Sequence, residues 1–400
     1  MPTLTVGGSI SRMRSVNFTA HNKVTLLHTG AAYFPALIAA IDAARFEIYL
    51  ETYIFAADRT GDEVKAALIR AAGRGVMVNV VTDWLGTGHA QSGVLNREFR
   101  EARVNHRVFN AWFRRGVVRM HRKICVVDRM QAFLGGLNIN YDLISDDGFE
   151  EPLPAPRWDF GVHVNGPLVA TIHEEVQSLW MLLGGLNLRF RWEKFRERRS
   201  AHLRVEEGGA LAGLVVRDNL RNRRTIQKAY LKALGSARKS ALLANPYFAP
   251  GRKLRDGLAA AAARGVEVTL LIGVGQFRLQ DAVAHSFYPK LLRSGVKVVE
   301  YRKTQLHAKV AVVDDEWSTV GSSNWDGLSL LINQEANLVI REREFSQALR
   351  AHLERAVADG ITIRLEDYAN IPWYRRAWHG GAYLFYKSVF WIITMGGRTD

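Results

Sequence analysis

Apolar and polar positions along the chain follow two periods. Val64, Ala67, Leu68, Ala71 and Ala72 recur at i, i+3, i+4, i+7 and i+8, which puts one apolar stripe on a helix. Gly73-Arg-Gly75 ends that helix, and Val76 to Val81 is a run suited to a buried strand. Phe46 to Phe55 reads as the strand before it. The same order returns later: Ser240 to Phe248 reads as a strand, and Ala263-Arg-Gly265 again turns into an apolar run ending at Ile272. Gly75 and Gly265 close equivalent turns. Ala36–Asp83 and Tyr230–Gly273 are therefore expected to be copies of one helix–strand–helix–strand unit, giving an α/β fold built from duplicated halves.

A second repeat carries chemistry. His121-Arg-Lys123 leads through an apolar run to Asp128, then to Gly135-Gly-Leu-Asn138. His307-Ala-Lys309 leads in the same way to Asp314, then to Gly321-Ser-Ser-Asn324. Both copies read His-x-Lys-x4-Asp-x6-Gly-[Gly/Ser]-x-Asn, and the offset from His121 to His307 is close to that from Gly75 to Gly265. The duplication therefore spans a domain, not a motif alone. Each motif is expected on a strand, where i and i+2 share a face, so His and Lys would project together. Glycine at the following turn lets backbone approach a ligand.

Composition narrows the partners. The chain has 400 residues with 54 Lys and Arg against 39 Asp and Glu, a net charge of +15. That balance favours a polyanion, either nucleic acid or an anionic lipid surface. Ten Trp, 12 Tyr and 18 Phe, many beside Arg, suit a membrane interface at least as well as a nucleic acid. Cys125 is the single cysteine, so internal disulfides and a Cys-based zinc site are excluded, and a buried structural thiol is expected. The N-terminal stretch lacks the pattern of a signal peptide, and no apolar run is long enough for a membrane span.

Phosphodiester cleavage needs a nucleophile, a proton donor for the leaving oxygen, and cations for the developing charge. His121 and His307 can fill the first two roles. Lys123 and Lys309 can neutralise phosphoryl oxygens, and Asn138 and Asn324 can add amide donors. A catalytic imidazole also needs its second nitrogen anchored. Asp159 follows the first motif and Glu335 the second, and both open apolar strands; they are assigned as the orienting carboxylates. Asp128 and Asp314 are grouped with the catalytic set, although a turn or fold-stabilising role is favoured at such strand ends. No metal is expected, because the lysines would repel a cation and the ligand spacing is wrong.

The double motif resembles the signature of the phospholipase D superfamily, over roughly Val24 to Val357. Arg119 to Lys123, Phe133 to Asn138, Thr319 to Asn324 and Leu328 to Asn337 are similar to bacterial cardiolipin synthases, particularly the B type. The resemblance implies two phospholipase D-like α/β/α sandwich halves related by a pseudo-twofold, with one active site between them. It implies a phosphatidyl-histidine intermediate, no cofactor, and phosphatidylglycerol and other phospholipids as substrates. In most members the N-terminal histidine attacks, which makes His121 the nucleophile and His307 the acid–base; the matching halves leave that order open. The expected boundaries are residues 1–188 for the first half, 189–205 for a basic linker, 206–366 for the second half, and 367–400 for an aromatic, basic membrane-interface tail. Trp112, Phe113, Arg114 and Arg115 are expected to touch the membrane beside the first motif. The segment Asp146 to Arg157 is expected to be an exposed loop. The expected location is peripheral, on the cytoplasmic side of a bacterial inner membrane. Competing readings are phospholipase D-type hydrolysis, a nuclease-like phosphodiesterase, which the aromatic tail disfavours, and an inactive lipid-binding scaffold.

Overall fold

The computed structural model describes residues 16–114, 116–146, 151–184, 208–218, 222–327, 330, 332–369 and 371–393. The expected linker at 189–205 lies outside them. The first half contributes β1 (Thr19–His28), β2 (Glu47–Thr52), β3 (Met77–Asp83), β4 (Asn105–Phe109), β5 (Ile124–Val127), β6 (Gln131–Gly135) and β7 (Phe160–Asn165). The second contributes β8 (Ala210–Arg217), β9 (Ser240–Asn245), β10 (Glu267–Gly273), β11 (Lys297–Tyr301), β12 (Val310–Val313), β13 (Trp317–Gly321), β14 (Glu335–Arg341) and β15 (Ile361–Ile363).

The described strands form one ladder in the order β15-β11-β10-β9-β12-β13-β14-β8-β1-β7-β6-β5-β2-β3-β4. Read outward from the β8–β1 junction, the two halves have the same order, apart from the added edge strand β15. The junction itself is antiparallel and irregular, pairing Thr19 with Ala212 and Asn22 with Ala210 across a bulge. The repeated unit is present in both halves. Helices Arg59–Gly73 and Arg252–Ala263 each precede a strand. Gly75 and Gly265 follow them at φ +88° and +87°, the left-handed turn that only glycine takes without strain.

The period of two within each strand explains how the halves meet. Ile48, Leu50, Cys125, Val127 and Phe133 face an outer core belonging to the first half. Leu243, Ala311, Val313 and Val339 face the outer core of the second. The alternate positions, Tyr49, Ile124, Val126, Leu134 and Phe160 with Leu242, Val310, Val312, Leu338 and Ile340, join one core shared by both halves. Helix Leu168–Leu183 follows β7 and also packs on β8, while helix Arg343–Ala358 follows β14 and packs on β1. Each half thus lends a helix to its partner.

Candidate active site

Both His-x-Lys segments run extended just before β5 and β12, rather than within strands as their pattern suggests. The reason lies in what they pair with. His121 N donates to Gln334 O at 2.9 Å, and Gln334 N donates to Arg119 O at 2.8 Å. Across the pseudo-twofold, His307 N donates to Trp158 O at 3.0 Å, and Trp158 N donates to Gln305 O at 2.9 Å. Each histidine is therefore stitched to the residue immediately before the other half's carboxylate.

The carboxylates consequently cross between halves. Glu335 Oε2 lies 3.1 Å from His121 Nδ1, and Asp159 Oδ2 lies 2.6 Å from His307 Nδ1. With Nδ1–H donating to a carboxylate, the neutral ring carries its lone pair on Nε2. Both histidines, both lysines and both carboxylates are buried. Gly136 makes room for one crossing, since a Cβ there would collide with the Asp159 carboxylate. The second motif has Ser322 at this position, and its hydroxyl donates to Glu335 Oε2 at 2.5 Å.

Burial sets the charge states. It pulls His121 down to about 4, with Glu335 opposing it and the Lys123 and Lys309 charges adding to it. His307 is lowered too, by burial and then by Lys309. Lys123 falls to about 7 and Lys309 to about 8, chiefly through loss of solvent. Burial alone would raise Asp159, but the Lys309 and His307 charges outweigh it and hold the carboxyl low. These cross-half influences place both motifs in one site. Each lysine ammonium is held by the carbonyl of the histidine two positions before it, at 2.8 Å for Lys123 to His121 O, with Lys309 bonded likewise to His307 O.

Asn138 and Asn324 are buried, and the Oδ1 atom of each has no hydrogen-bond partner among the described residues. Such groups are costly unless something binds there. Asp128 and Asp314, by contrast, stand beyond the far ends of β5 and β12. Asp128 accepts from the backbone N–H of Arg45, Phe46 and Glu47 at 2.8–2.9 Å, and Asp314 from that of Arg238, Lys239 and Ser240 at 2.7–2.9 Å. The structure does not bring these two to the histidines. Each ties the turn in the middle of its motif to the start of β2 or β9.

Three residues at the site were not singled out from sequence. Tyr53 sets its ring edge-on to His121, with centroids 4.9 Å apart, and Lys123 Nζ lies 5.3 Å from the same ring centroid. Asp146 and Arg157 bound a segment expected to be exposed, yet both side chains are buried. Arg157 Nη1 donates to Asn140 Oδ1 at 2.9 Å and its Nε to Gln305 Oε1 at 3.0 Å. Asp146 Oδ2 lies 3.5 Å from His307 Nε2. The exposed-loop expectation fails at both ends because a guanidinium and a carboxylate need partners once covered, and the second half supplies them. The extra length of this segment was the signal that could have exposed it.

Beside the site, Trp112 takes a left-handed conformation (φ 57°, ψ 32°), costly for a bulky residue. Its indole lies against Trp84 at 5.6 Å and remains 64% exposed. Arg114 is exposed nearby; the Phe113 side chain and Arg115 lie outside what the structure describes. Asp83 links this patch to the motif, accepting from Leu85 N at 2.9 Å and from Met120 N at 2.8 Å. Cys125 is fully buried and its thiol is pushed up to about 12 by burial.

Comparison with known proteins agrees with this arrangement. The family described as "Cardiolipin synthase, PLD-like domain" matches residues 37–148 and 230–357, one segment in each half. The chain is 39% identical to cardiolipin synthase B of Escherichia coli K12 over 345 residues, covering 84% of this chain and 81% of that protein. It is 31% identical to cardiolipin synthase A of Pseudomonas entomophila over 358 residues, 87% of this chain and 71% of that one. Among solved structures, phosphatidylserine synthase of Haemophilus influenzae shares the fold with a TM-score of 0.67 at 16% identity, covering 95% of this chain and 97% of the other.

Proposed function

The chain belongs to the phospholipase D-like cardiolipin synthase family, and from that premise we propose that it moves a phosphatidyl group from one phosphatidylglycerol to the terminal hydroxyl of a second, making cardiolipin and releasing glycerol. The observation that carries this reading is the exchange of carboxylates, which fixes both buried imidazoles by Nδ1 within the influence of the buried lysine charges. His121 Nε2 attacks phosphorus while the P–O bond to glycerol breaks, and His307 Nε2 gives its proton to the leaving oxygen. His307 then takes a proton from the entering hydroxyl, whose oxygen forms the new P–O bond as the P–N bond to His121 breaks. Lys123, Lys309 and the amides of Asn138 and Asn324 receive the charge on the phosphoryl oxygens.

The assignment of roles rests on an asymmetry. His307 has carboxylates at both ring nitrogens, Asp159 and Asp146, which oppose the lowering by burial and Lys309 and stabilise the minority imidazolium that carries the Nε2 proton. His121 has one carboxylate and the ring of Tyr53. The donor sits in an anionic surface, which the Trp84–Trp112 patch and the exposed aromatics of helix Trp373–Ile393 suit. No described helix is long and apolar enough to cross a membrane. We place the protein at the cytoplasmic surface of an inner membrane, held peripherally.

Purified protein given phosphatidylglycerol vesicles should release glycerol and cardiolipin in equal amounts, by mass spectrometry and glycerol assay. The yield should persist in EDTA, because the lysines provide the positive charge. Phosphatidic acid without cardiolipin would instead mark a hydrolase, and rescue of an EDTA-dead enzyme by a divalent ion would remove the metal-free chemistry.

A further inference from the structure

Pseudo-symmetry makes departures from it informative. The stretch from Asn138 to Asp159 is about twice as long as its counterpart from Asn324 to Glu335. The first half therefore carries an insertion between motif and carboxylate. Asp146 lies in this longer segment, and it is turned inward, with its side chain 6% exposed.

Its position is built rather than incidental. Oδ1 accepts from Gln276 Nε2 at 2.9 Å and from Gln305 Nε2 at 2.5 Å. Oδ2 faces His307 Nε2 at 3.5 Å and Arg157 Nε at 3.9 Å. Neither is as short as a charge-assisted hydrogen bond, so Oδ2 keeps acceptor capacity. A buried, oriented acceptor thus stands beside the nitrogen that handles the alcohol proton. A simple alcohol has one hydroxyl, and Nε2 uses it. Two hydroxyls on adjacent carbons can reach two acceptors 3.5 Å apart.

Within the transfer proposed above, we infer that Asp146 recognises the hydroxyl adjacent to the reacting one on a vicinal diol, and so selects a glycerol-type headgroup as leaving and entering alcohol. In the second step the reacting hydroxyl gives its proton to His307 Nε2. Its oxygen bonds phosphorus, and the P–Nε2 bond to His121 breaks. The neighbouring hydroxyl stays protonated and donates to Asp146 Oδ2 throughout. Water and monohydric alcohols leave that acceptor unfilled, which is how a buried polar group discriminates.

The test is an acceptor competition on the full chain. Phosphatidylglycerol vesicles serve as donor, and 1,2-propanediol and 1-propanol are supplied together in equal excess. The ratio of phosphatidylpropanediol to phosphatidylpropanol depends only on the acceptor step, so a slow variant still reports it. Wild type should favour the diol by roughly tenfold, the discrimination expected of a hydrogen bond to a charged group. Asp146→Asn should bring the ratio near unity. Asp146→Glu, which keeps the charge and moves it, should also lower the ratio and serves if Asn impairs folding. A wild-type ratio near unity overturns the inference. So does an unchanged ratio in a folded variant, even one with reduced turnover, because Asp146 would then be only a counter-ion to His307. If wild type makes neither alcohol product while releasing phosphatidic acid, the transfer reading falls and the inference with it.

Discussion

At the scale of the residue, crossing carboxylates make two variants distinguishable that a symmetric site would equate. Glu335→Gln weakens the orientation of His121, and Asp159→Asn that of His307. Each should lower turnover of phosphatidylglycerol by about 10²–10⁴-fold, the range for a disabled acid–base or nucleophile partner. A phosphatidyl donor with p-nitrophenol as leaving group needs no acid. With it, Asp159→Asn should recover a burst of adduct on His121, and Glu335→Gln should not; the reverse pattern would make His307 the nucleophile. The lysines give a pH signature. Lys123 at about 7 and Lys309 at about 8 lose their charge as pH rises through that range, so kcat/KM should fall there. Stability should move oppositely. Between about pH 7 and 10 the unfolded chain binds more protons on these lysines than the folded chain does, so folding becomes more favourable as pH rises. Lys123→Met should flatten this rise in Tm across the same interval.

At the scale of the element, helix Trp373–Ile393 has two faces in different surroundings. Ala382 is buried, and Tyr383 and Tyr386 pack beside it against the second half's outer core. Tyr383 meets Phe287 at 5.2 Å, and Tyr386 Oη accepts from Gly327 N at 2.7 Å. Trp373, Tyr374, Trp378, Leu384, Phe385, Val389 and Trp391 remain exposed. The sequence invites a choice between packed helix and interface helix, and the geometry shows one face packed and the other, aromatic, face exposed. Deleting the helix should therefore lower Tm, by uncovering helix Arg278–Arg293. Trp378→Glu and Phe385→Glu should leave Tm unchanged and weaken binding to phosphatidylglycerol vesicles roughly tenfold each, as lost aromatic burial implies. What remains should be more salt-sensitive, since charge would carry more of it. Co-sedimentation across a salt series measures both, and unchanged binding would assign the exposed face to something other than lipid.

At the scale of the whole molecule, the shared inner core and the exchanged carboxylates make the halves interdependent. A fragment ending at Gly184 would expose the inner face of its sheet and leave His121 without Glu335. Each half expressed alone should be inactive and aggregation-prone. Co-expressed, the two should regain turnover, because the interface is complementary. Full activity from either half alone would contradict a single composite site.

The sequence by itself determined a good deal. Hydrophobic periodicity set the repeated helix–strand unit, because a period of 2 or 3.6 is a local property of the chain. The doubled His-x-Lys spacing marked histidines and lysines that the fold brings together, and the strand-opening acids Asp159 and Glu335, picked from their type and place, meet the histidine rings. Which acid serves which histidine was decided only by the tertiary structure. Matching halves offer identical local signals, and the exchange depends on Gln334 and Trp158 pairing across the pseudo-twofold. The same holds for Asp146, whose loop composition reads as solvent-exposed until packing against Gln276 and Gln305 buries it. Asp128 and Asp314 show the converse: the motif groups them with the chemistry while their strand-end place favours a turn role, and the folded backbone gives them the turn. A spacing records how far apart residues are along the chain, whereas chemistry depends on which surfaces the fold brings face to face.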